Sequence, residues 1–476
     1  MSLAARTRRC LAALLAWGLH GTASALPPEV ERALDRARVP DSALVAVVQE
    51  AGSGRSVLSL RAQQPVNPAS LAKLFTTAMA LDQLGPAWSW STPVWLQGPV
   101  RDGVLEGSLV IKGSGDPKLV MERLWLLLRR VQQQGVREIR GDIVLDNGAF
   151  AAGEGSPFDF DGDGLRPYNV RAEALLLNFK AVLYTFVPDP SRGVAQVLVE
   201  PPLAGTVVDR TVPLSAGPCD DWRGALKASL ADPARVRFGG SYPAACGEQS
   251  WPLADAQPST YSARLVAGLW REMGGQLTGQ VREGPAPADR PSFEQRSPPL
   301  LDAVRDINKF SNNVMAQQLF LTLALQREPG RPATPATARD AQRRWVASRL
   351  GDPGAELVVD NGSGLSREGR ASARLLARLL QQVHDGPFAA ELASSLPISG
   401  VDGTLRRAKA TPGRAHLKTG SLRDVAGVAG YVLSDSGRRY VVVAIVNHPQ
   451  ANAARPALDA LVQWVMRDAP GSAQNR

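Results

Sequence analysis

The chain has 476 residues, 44% of them hydrophobic and 21% charged, with a formal net charge of +9. That length exceeds one ordinary core and points to roughly two to four domains, and the balance of apolar and charged residues excludes a disordered chain. Beyond the N-terminus no run approaches the ~18 uninterrupted apolar residues of a membrane span, so no transmembrane anchor is expected, and no nucleic-acid motif accompanies the basic charge.

Arg6, Arg8 and Arg9 precede the apolar run Leu11 to Leu19, and Ala23-Ser24-Ala25 fits a small-residue cleavage site. Residues 1–25 therefore read as a secretory signal peptide, with Leu26 as the mature N-terminus. Removing it takes away three Arg and no acid, which lowers the net charge to +6. That basic surplus suits peripheral association with an anionic wall or membrane, or simply a solvated face. Two cysteines remain, Cys219 and Cys246. Outside the cytoplasm an even count favours a disulfide, here closing a loop of roughly 27 residues and contributing ~3 kcal/mol.

Residues 43–61 read as a hairpin around Gly52-Ser53-Gly54. The stretch NPASLAKLFTTAMAL (67–81) then starts a helix that runs to about Leu84, with Leu71, Leu74, Phe75, Ala78 and Met79 on a buried face. Short strands with glycine turns fill 92–141, interrupted by one helix near Val120 to Gln134. Residues 150–168 form a loop, strand-like runs continue past Val207, and SFEQRSPPL (292–300) reads as a linker. Helices are expected at 300–309, 313–326, 336–350 and 371–384. A hairpin follows at 425–447, then a closing helix at 455–466 with Leu458, Leu461, Val462, Val465 and Met466 on one face. The domain reading is a catalytic unit in two parts (26–90 and 293–476), an inserted β-rich unit (91–165 returning at 251–292), and a second unit nested within it (166–250).

Three stretches carry chemistry. The first is Ser70-x-x-Lys73. Lysine is rare here, eight against forty-six arginines, so a lysine in a motif is informative, because Lys can give up its proton and Arg cannot. A serine one turn before a buried lysine is a nucleophile beside its base, provided that burial lowers the lysine by about three pKa units, ~4 kcal/mol. The bland alternative is an N-cap serine and a snorkelling lysine. The second stretch is KFSNNVMAQQLF (309–320), where Ser311 and Asn313 stand at a helix start and capping would explain them equally well. The third is HLKTGSL (416–422). Gly420 lets a ligand approach the strand, and Lys418 and Thr419 can hold a carboxylate. The mature chain has only His384, His416 and His448, and neither a G-x-S-x-G elbow, a metal-ligand cluster nor a phosphate-binding glycine loop is present; no cofactor is expected.

In this order the three resemble the S-x-x-K, S-x-N and K-T-G elements of the penicillin-recognising serine peptidases. About 240 residues separate Ser70 from Ser311. That spacing, with GSGDPKL (113–119), DNGSGLSR (360–367) and SGVDGTLRR (399–407), is similar to the D-alanyl-D-alanine carboxypeptidase/endopeptidase family. These are the low-molecular-mass class C penicillin-binding proteins, peptidase family S13. The resemblance implies an α+β fold: a penicillin-binding/β-lactamase-like catalytic domain, an antiparallel sheet flanked by helices, interrupted by a large β-rich insertion. It further implies a periplasmic enzyme acting on peptidoglycan stem peptides and acylated by β-lactams. Ser70 would be the nucleophile, Lys73 the base and Ser311 a proton relay. The backbone N–H groups of Ser70 and Ser421 would form the oxyanion hole. Asn313, Lys418, Thr419 and Gly420 would bind substrate, and Asp146, Phe150 and Arg367 would contact the diamino acid of the stem. Asn312 stands where many relatives carry Asp, and Ser421 where Thr is commoner. The rivals are a serine β-lactamase and a non-catalytic cell-wall scaffold.

Overall fold

The computed structural model describes residues 26–151, 155–408 and 412–468. The signal-peptide reading concerns residues outside that set. Among the described residues no helix is long and apolar enough to cross a membrane.

The catalytic sheet has five antiparallel strands in the spatial order Ser56–Leu60, Leu44–Glu50, Arg439–Asn447, Val425–Leu433, Ala415–Leu422. Thus the N-terminal hairpin pairs with the C-terminal one, and the two ends of the chain build one layer. The central strand, RYVVVAIVN, is apolar on both faces because both faces are covered. Val441, Val443 and Ile445 look into a helical core with Leu71, Leu74, Phe75, Ile307, Leu319 and Leu376. Tyr440, Val442, Ala444 and Val446 look the other way, onto Val30 and Leu34 of the first helix, Pro28–Arg36, and Leu458, Leu461 and Val462 of the last, Arg455–Met466. The strand's two-residue period sorts alternate side chains into two cores. Met466 packs only at the rim of that second core.

The Ser70 segment sits between this sheet and the helices. A 3₁₀ turn, Ala69–Ala72, runs into the helix Lys73–Leu84. Its expected stripe is buried, but so are Thr76 and Thr77 on the other side, which makes it a central helix rather than an amphipathic one. Thr76 Oγ1 donates to Gly362 O (2.7 Å) and Thr77 Oγ1 to Lys73 O (2.9 Å), which satisfies both hydroxyls. The helices Leu300–Lys309, Asn313–Arg327, Pro335–Leu350 and Ala373–His384 surround it, close to their expected bounds.

The stretch between the two halves is less purely β than its sequence suggests. One five-stranded sheet takes the order Val281–Glu283, Ile143–Asp146, Ser108–Lys112, Ser91–Gln97, Phe293–Arg296. Its first two pairings are parallel. Parallel neighbours need a crossover, and the helices Met121–Gln133 and Pro258–Glu272 supply them. The second of these helices is missing from the sequence reading, because its first turn, Pro-Ser-Thr, has the letters of a turn. The supposed linker is likewise corrected: Phe293–Arg296 is an edge strand that pairs with Ser91–Gln97. The prolines lie outside it, at Pro291, Pro298 and Pro299. A further sheet runs Tyr242–Pro243, Thr211–Ser215, Val194–Glu200, Ala181–Asp189, Gln249–Ala254, and Cys219 and Cys246 are disulfide-bonded beside it, 27 positions apart.

Candidate active site

Lys73 is the first residue of its helix, so Ser70, one turn ahead, shares its side. Lys73 Nζ donates to Ser70 Oγ (3.0 Å), Asn313 Oδ1 (2.6 Å) and the carbonyl of Ser363 (2.5 Å). No part of Lys73 is exposed. Burial, with a smaller contribution from the charge of Lys418, holds its pKa well below that of a free lysine. An ammonium would use three donors on these three oxygens. A neutral amine has two N–H groups for the two carbonyl acceptors, and its lone pair then faces the Ser70 hydroxyl.

The turn that presents Ser70 is fixed from both sides. Asn67 Oδ1 accepts from Ala69 N (2.9 Å), and Pro68 O accepts from Leu71 N (3.1 Å). Gly364 lies against it so closely that a Cβ there would stand 1.8 Å from Ala69 O, at a backbone φ of +77° that L side chains rarely adopt.

Ser311 lies at φ 57°, in the left-handed region that a serine seldom occupies. The helix that follows is capped by Asn312, whose side chain accepts from Met315 N (3.0 Å). Capping therefore falls to the middle residue of S-x-N, and the side chains of Ser311 and Asn313 are left for other partners. Ser311 Oγ accepts from Lys418 Nζ (2.8 Å), and Lys418 also donates to Thr419 O (2.9 Å). Lys418 is wholly buried, and that burial pulls its pKa down to about 7. Ser70, Lys73 and Asn313 thus form one hydrogen-bonded set and Ser311 with Lys418 a second, and Lys73 feels the charge of Lys418.

The K-T-G strand, Ala415–Leu422, is the edge of the catalytic sheet. Gly420 is where it passes the Ser70 turn: an added Cβ would come 2.8 Å from Pro68 O. Thr419 Oγ1 donates to Thr404 Oγ1 (2.8 Å), so SGVDGTLRR braces this strand. The same loop is tied to the S-x-N segment by Lys309 Nζ on Asp402 (2.6 Å). Ser421 is exposed, and its Oγ accepts from Arg455 (2.7 Å). His416 is packed, with Nδ1 3.1 Å from Ala393 O.

Three expected residues carry contacts of their own, elsewhere. Both carboxylate oxygens of Asp146 are used locally, by Gly148 N (2.7 Å) and Ala286 N (2.8 Å). Phe150 is buried among the core residues beneath Gly115. Arg367 pairs with Asp424 (3.2 Å) and lies over the ring of Phe160 (4.7 Å). Among the described residues no hydrogen bond joins these three to Ser70, Lys73, Ser311 or Lys418. Conversely, Ser363 and Thr404 belong to the site and were not singled out from sequence. Ser363 acts through a backbone carbonyl, which no residue letter encodes, although Gly-Ser-Gly at 362–364 does signal a tight turn. Among the described residues no group of three or more His, Cys, Asp or Glu could hold a metal ion.

Comparison with known proteins agrees with this geometry. The chain is 29% identical over 460 residues to a D-alanyl-D-alanine carboxypeptidase from an Actinomadura species, covering 90% of this chain and 82% of that one. It is 25% identical over 402 residues to the D-alanyl-D-alanine carboxypeptidase DacB of Haemophilus influenzae, covering 80% of each. Its fold is similar to the crystal structure of penicillin binding protein 4 (dacB) from Haemophilus influenzae, with a TM-score of 0.73 over 91% of this chain and 99% of that one at 21% identity. It is also similar, at a TM-score of 0.53 and 15% identity over 89% of this chain and 93% of the other, to a predatory endopeptidase from Bdellovibrio bacteriovorus. A family model matches residues 28–468, and the chain belongs to the D-Ala-D-Ala carboxypeptidase 3 (S13) family.

Proposed function

We propose that this serine-type D-Ala-D-Ala carboxypeptidase, a penicillin-binding hydrolase of peptidoglycan stem peptides, works as follows. Ser70 Oγ attacks the carbonyl between two D-alanines while neutral Lys73 takes its proton. Ser311, held by Lys418, passes its proton to the departing D-alanine amine and is reprotonated by Lys73, which so returns to the neutral form. The N–H groups of Ser70 and Ser421 receive the oxyanion. Asn313 spends its carbonyl on Lys73, which leaves its N–H₂ for the substrate amide. Lys418 and Thr419 bind the terminal carboxylate, Gly420 lets the peptide lie along the strand edge, and water resolves the acyl-enzyme. A D,D-endopeptidase activity on cross-links uses the same steps. Asp146, Phe150 and Arg367 are kept as the contacts for the stem's diamino acid.

The observation that carries this reading is the fully buried Lys73 amine held between Ser70 Oγ and two carbonyl oxygens. Intact-mass measurement after penicillin treatment, with peptide mapping, tests it. One adduct on Ser70 is expected, and no adduct, or an adduct elsewhere, would refute it. Rapid turnover of the penicillin would instead favour a β-lactamase, and a chain that forms no adduct would be a scaffold. The location proposed is the periplasm, reached by way of the N-terminal leader. The same proposal divides the chain into a catalytic unit (26–90 with 293–476) and inserted units (91–165 with 251–292, and 166–250). The separate cores support the division between catalytic and inserted units, whereas the two inserted units share one core that runs from Leu109 and Leu124 to Phe186 and Tyr242; strand 293–296 moves the second catalytic boundary to about residue 297.

A further inference from the structure

Next to the K-T-G strand stands a charge that the mechanism above does not use. Arg455 Nη2 donates to Ser421 Oγ (2.7 Å) and to Asn452 Oδ1 (3.0 Å), and its Nε donates to the same Asn452 oxygen (3.2 Å). Asn452 in turn donates to the carbonyls of Leu422 (3.0 Å) and Arg423 (3.1 Å), so the guanidinium is pinned to the end of the strand. Arg455 is exposed, and among the described residues it has no acidic partner within ion-pair distance and no partner on Nη1. Asp459, one turn along, is the acid that senses its charge.

Thr419 and Ser421 are two apart on one strand, so their hydroxyls share a face, about 6.6 Å apart along the chain. A carboxylate between them accepts from Ser421 at an ordinary O–H···O distance of about 2.7 Å, and from Thr419 once that hydroxyl turns its proton away from Thr404 Oγ1. Ser421 Oγ already accepts from Arg455, so its own proton is free to be donated. Lys418, which the proposed mechanism sets on the same carboxylate, supplies only part of a charge. Lys418 is buried, both its recorded hydrogen bonds go to Ser311 and Thr419, and its pKa of about 7 leaves it part neutral. The guanidinium stays protonated throughout this range.

We propose that Arg455, acting with and beside Ser421, is a specificity residue that recognises the free C-terminal carboxylate of the substrate. It would thereby favour removal of a terminal D-alanine over cleavage of an amide-linked cross-link. This rests on the peptidase reading above.

The test uses the full mature enzyme and two peptides that differ only at the end, D-Ala-D-Ala carboxylate and its C-terminal amide. For Arg455→Gln, kcat/KM on the carboxylate should fall about tenfold more than on the amide, mostly through KM, because a charge-assisted hydrogen bond is lost. Arg455→Lys should recover part of that selectivity. Wild-type selectivity should weaken with added salt, and the weakening should be smaller in Arg455→Gln. Equal losses on both peptides, or no loss on either, would overturn the proposal and leave Arg455 as a brace for the strand end. Thermal unfolding identifies a variant that has merely lost its fold, and Arg455→Lys then carries the comparison alone. A wild type that hydrolyses neither peptide would sink the peptidase reading itself, an outcome distinct from unchanged selectivity.

Discussion

The catalytic core and the core of the inserted region are built on opposite terms. Around the Ser70 helix, Lys73, Thr76, Thr77, Asn308, Gln318, Thr322, Gln342, Ser363 and Lys418 are all buried, and much of the interior is a hydrogen-bonded network. In the insertion, Phe186 stacks on Tyr242 (centroids 5.5 Å) and meets Phe238 (5.1 Å) and Trp222 (5.7 Å) edge-on, with the disulfide nearby. Apolar burial and ring packing stabilise the second core directly. Two desolvated lysines weaken the first, because each favours its neutral form only by giving up hydration. Stability and chemistry thus reside in different places, and substitutions should separate them.

The sharpest separation is expected at Ser70. Ser70→Ala should lower turnover by about 10⁴-fold or more and abolish the penicillin adduct, because the proposed nucleophile is gone. The melting temperature should move little, since Ser70 is only half-buried. Lys73→Arg keeps the charge but not the ability to lose a proton, and should be nearly as damaging. Near-normal acylation by Lys73→Arg, read by stopped-flow with a chromogenic β-lactam, would remove the base role and with it the contrast drawn here.

How much of this was legible depended on what each residue does. Juxtapositions carried by side-chain type at short spacing could be read directly, as with Ser70 beside Lys73 and Lys418-Thr419-Gly420 on one strand. Helices such as 300–309 and 455–466 announced themselves by period. What stayed hidden was set by tertiary partners. Asn312 could be identified as the cap only once the chain had turned at Ser311, because Ser311, Asn312 and Asn313 all have capping letters. Ser363 contributes a carbonyl, and Phe293–Arg296 is a strand only because Ser91–Gln97 is there to pair with it. The helix 258–272 was obscured by its Pro-Ser-Thr start.

Within the insertion the effects should fall on stability alone. Phe186→Ala removes the ring shared by the aromatic contacts and should cost about 3–5 kcal/mol in urea unfolding. The acylation rate of the molecules that remain folded should stay within about twofold of wild type, as befits a site built from other elements. A large loss of acylation in folded protein would mean that the two cores are coupled. Replacing Cys219 and Cys246 by serine releases the loop between them and should cost ~3 kcal/mol by the same measurement, again with acylation retained.

The smallest effect has the opposite sign. Lys418→Met removes an amine whose folded pKa is about 7, against an ordinary lysine value of 10.5. Between these values the unfolded chain binds the proton and the folded chain does not, so wild-type stability rises with pH across that window, and below it the cost is fully present. The cost at neutral pH is of the order of a few kcal/mol. Losing the donor to Ser311 Oγ and Thr419 O takes back about 1–2 kcal/mol. The variant should therefore be more stable than wild type by about 1–2 kcal/mol near pH 7, and the gain should cross zero before about pH 10, above which the lost hydrogen bonds leave the variant the less stable of the two. Its hydrolysis of D-Ala-D-Ala peptides should nevertheless collapse. Urea unfolding of both proteins from about pH 6 to 10 gives the comparison. If the variant is less stable throughout, burial of Lys418 is compensated by its hydrogen bonds, and the catalytic core carries no stability cost at this position.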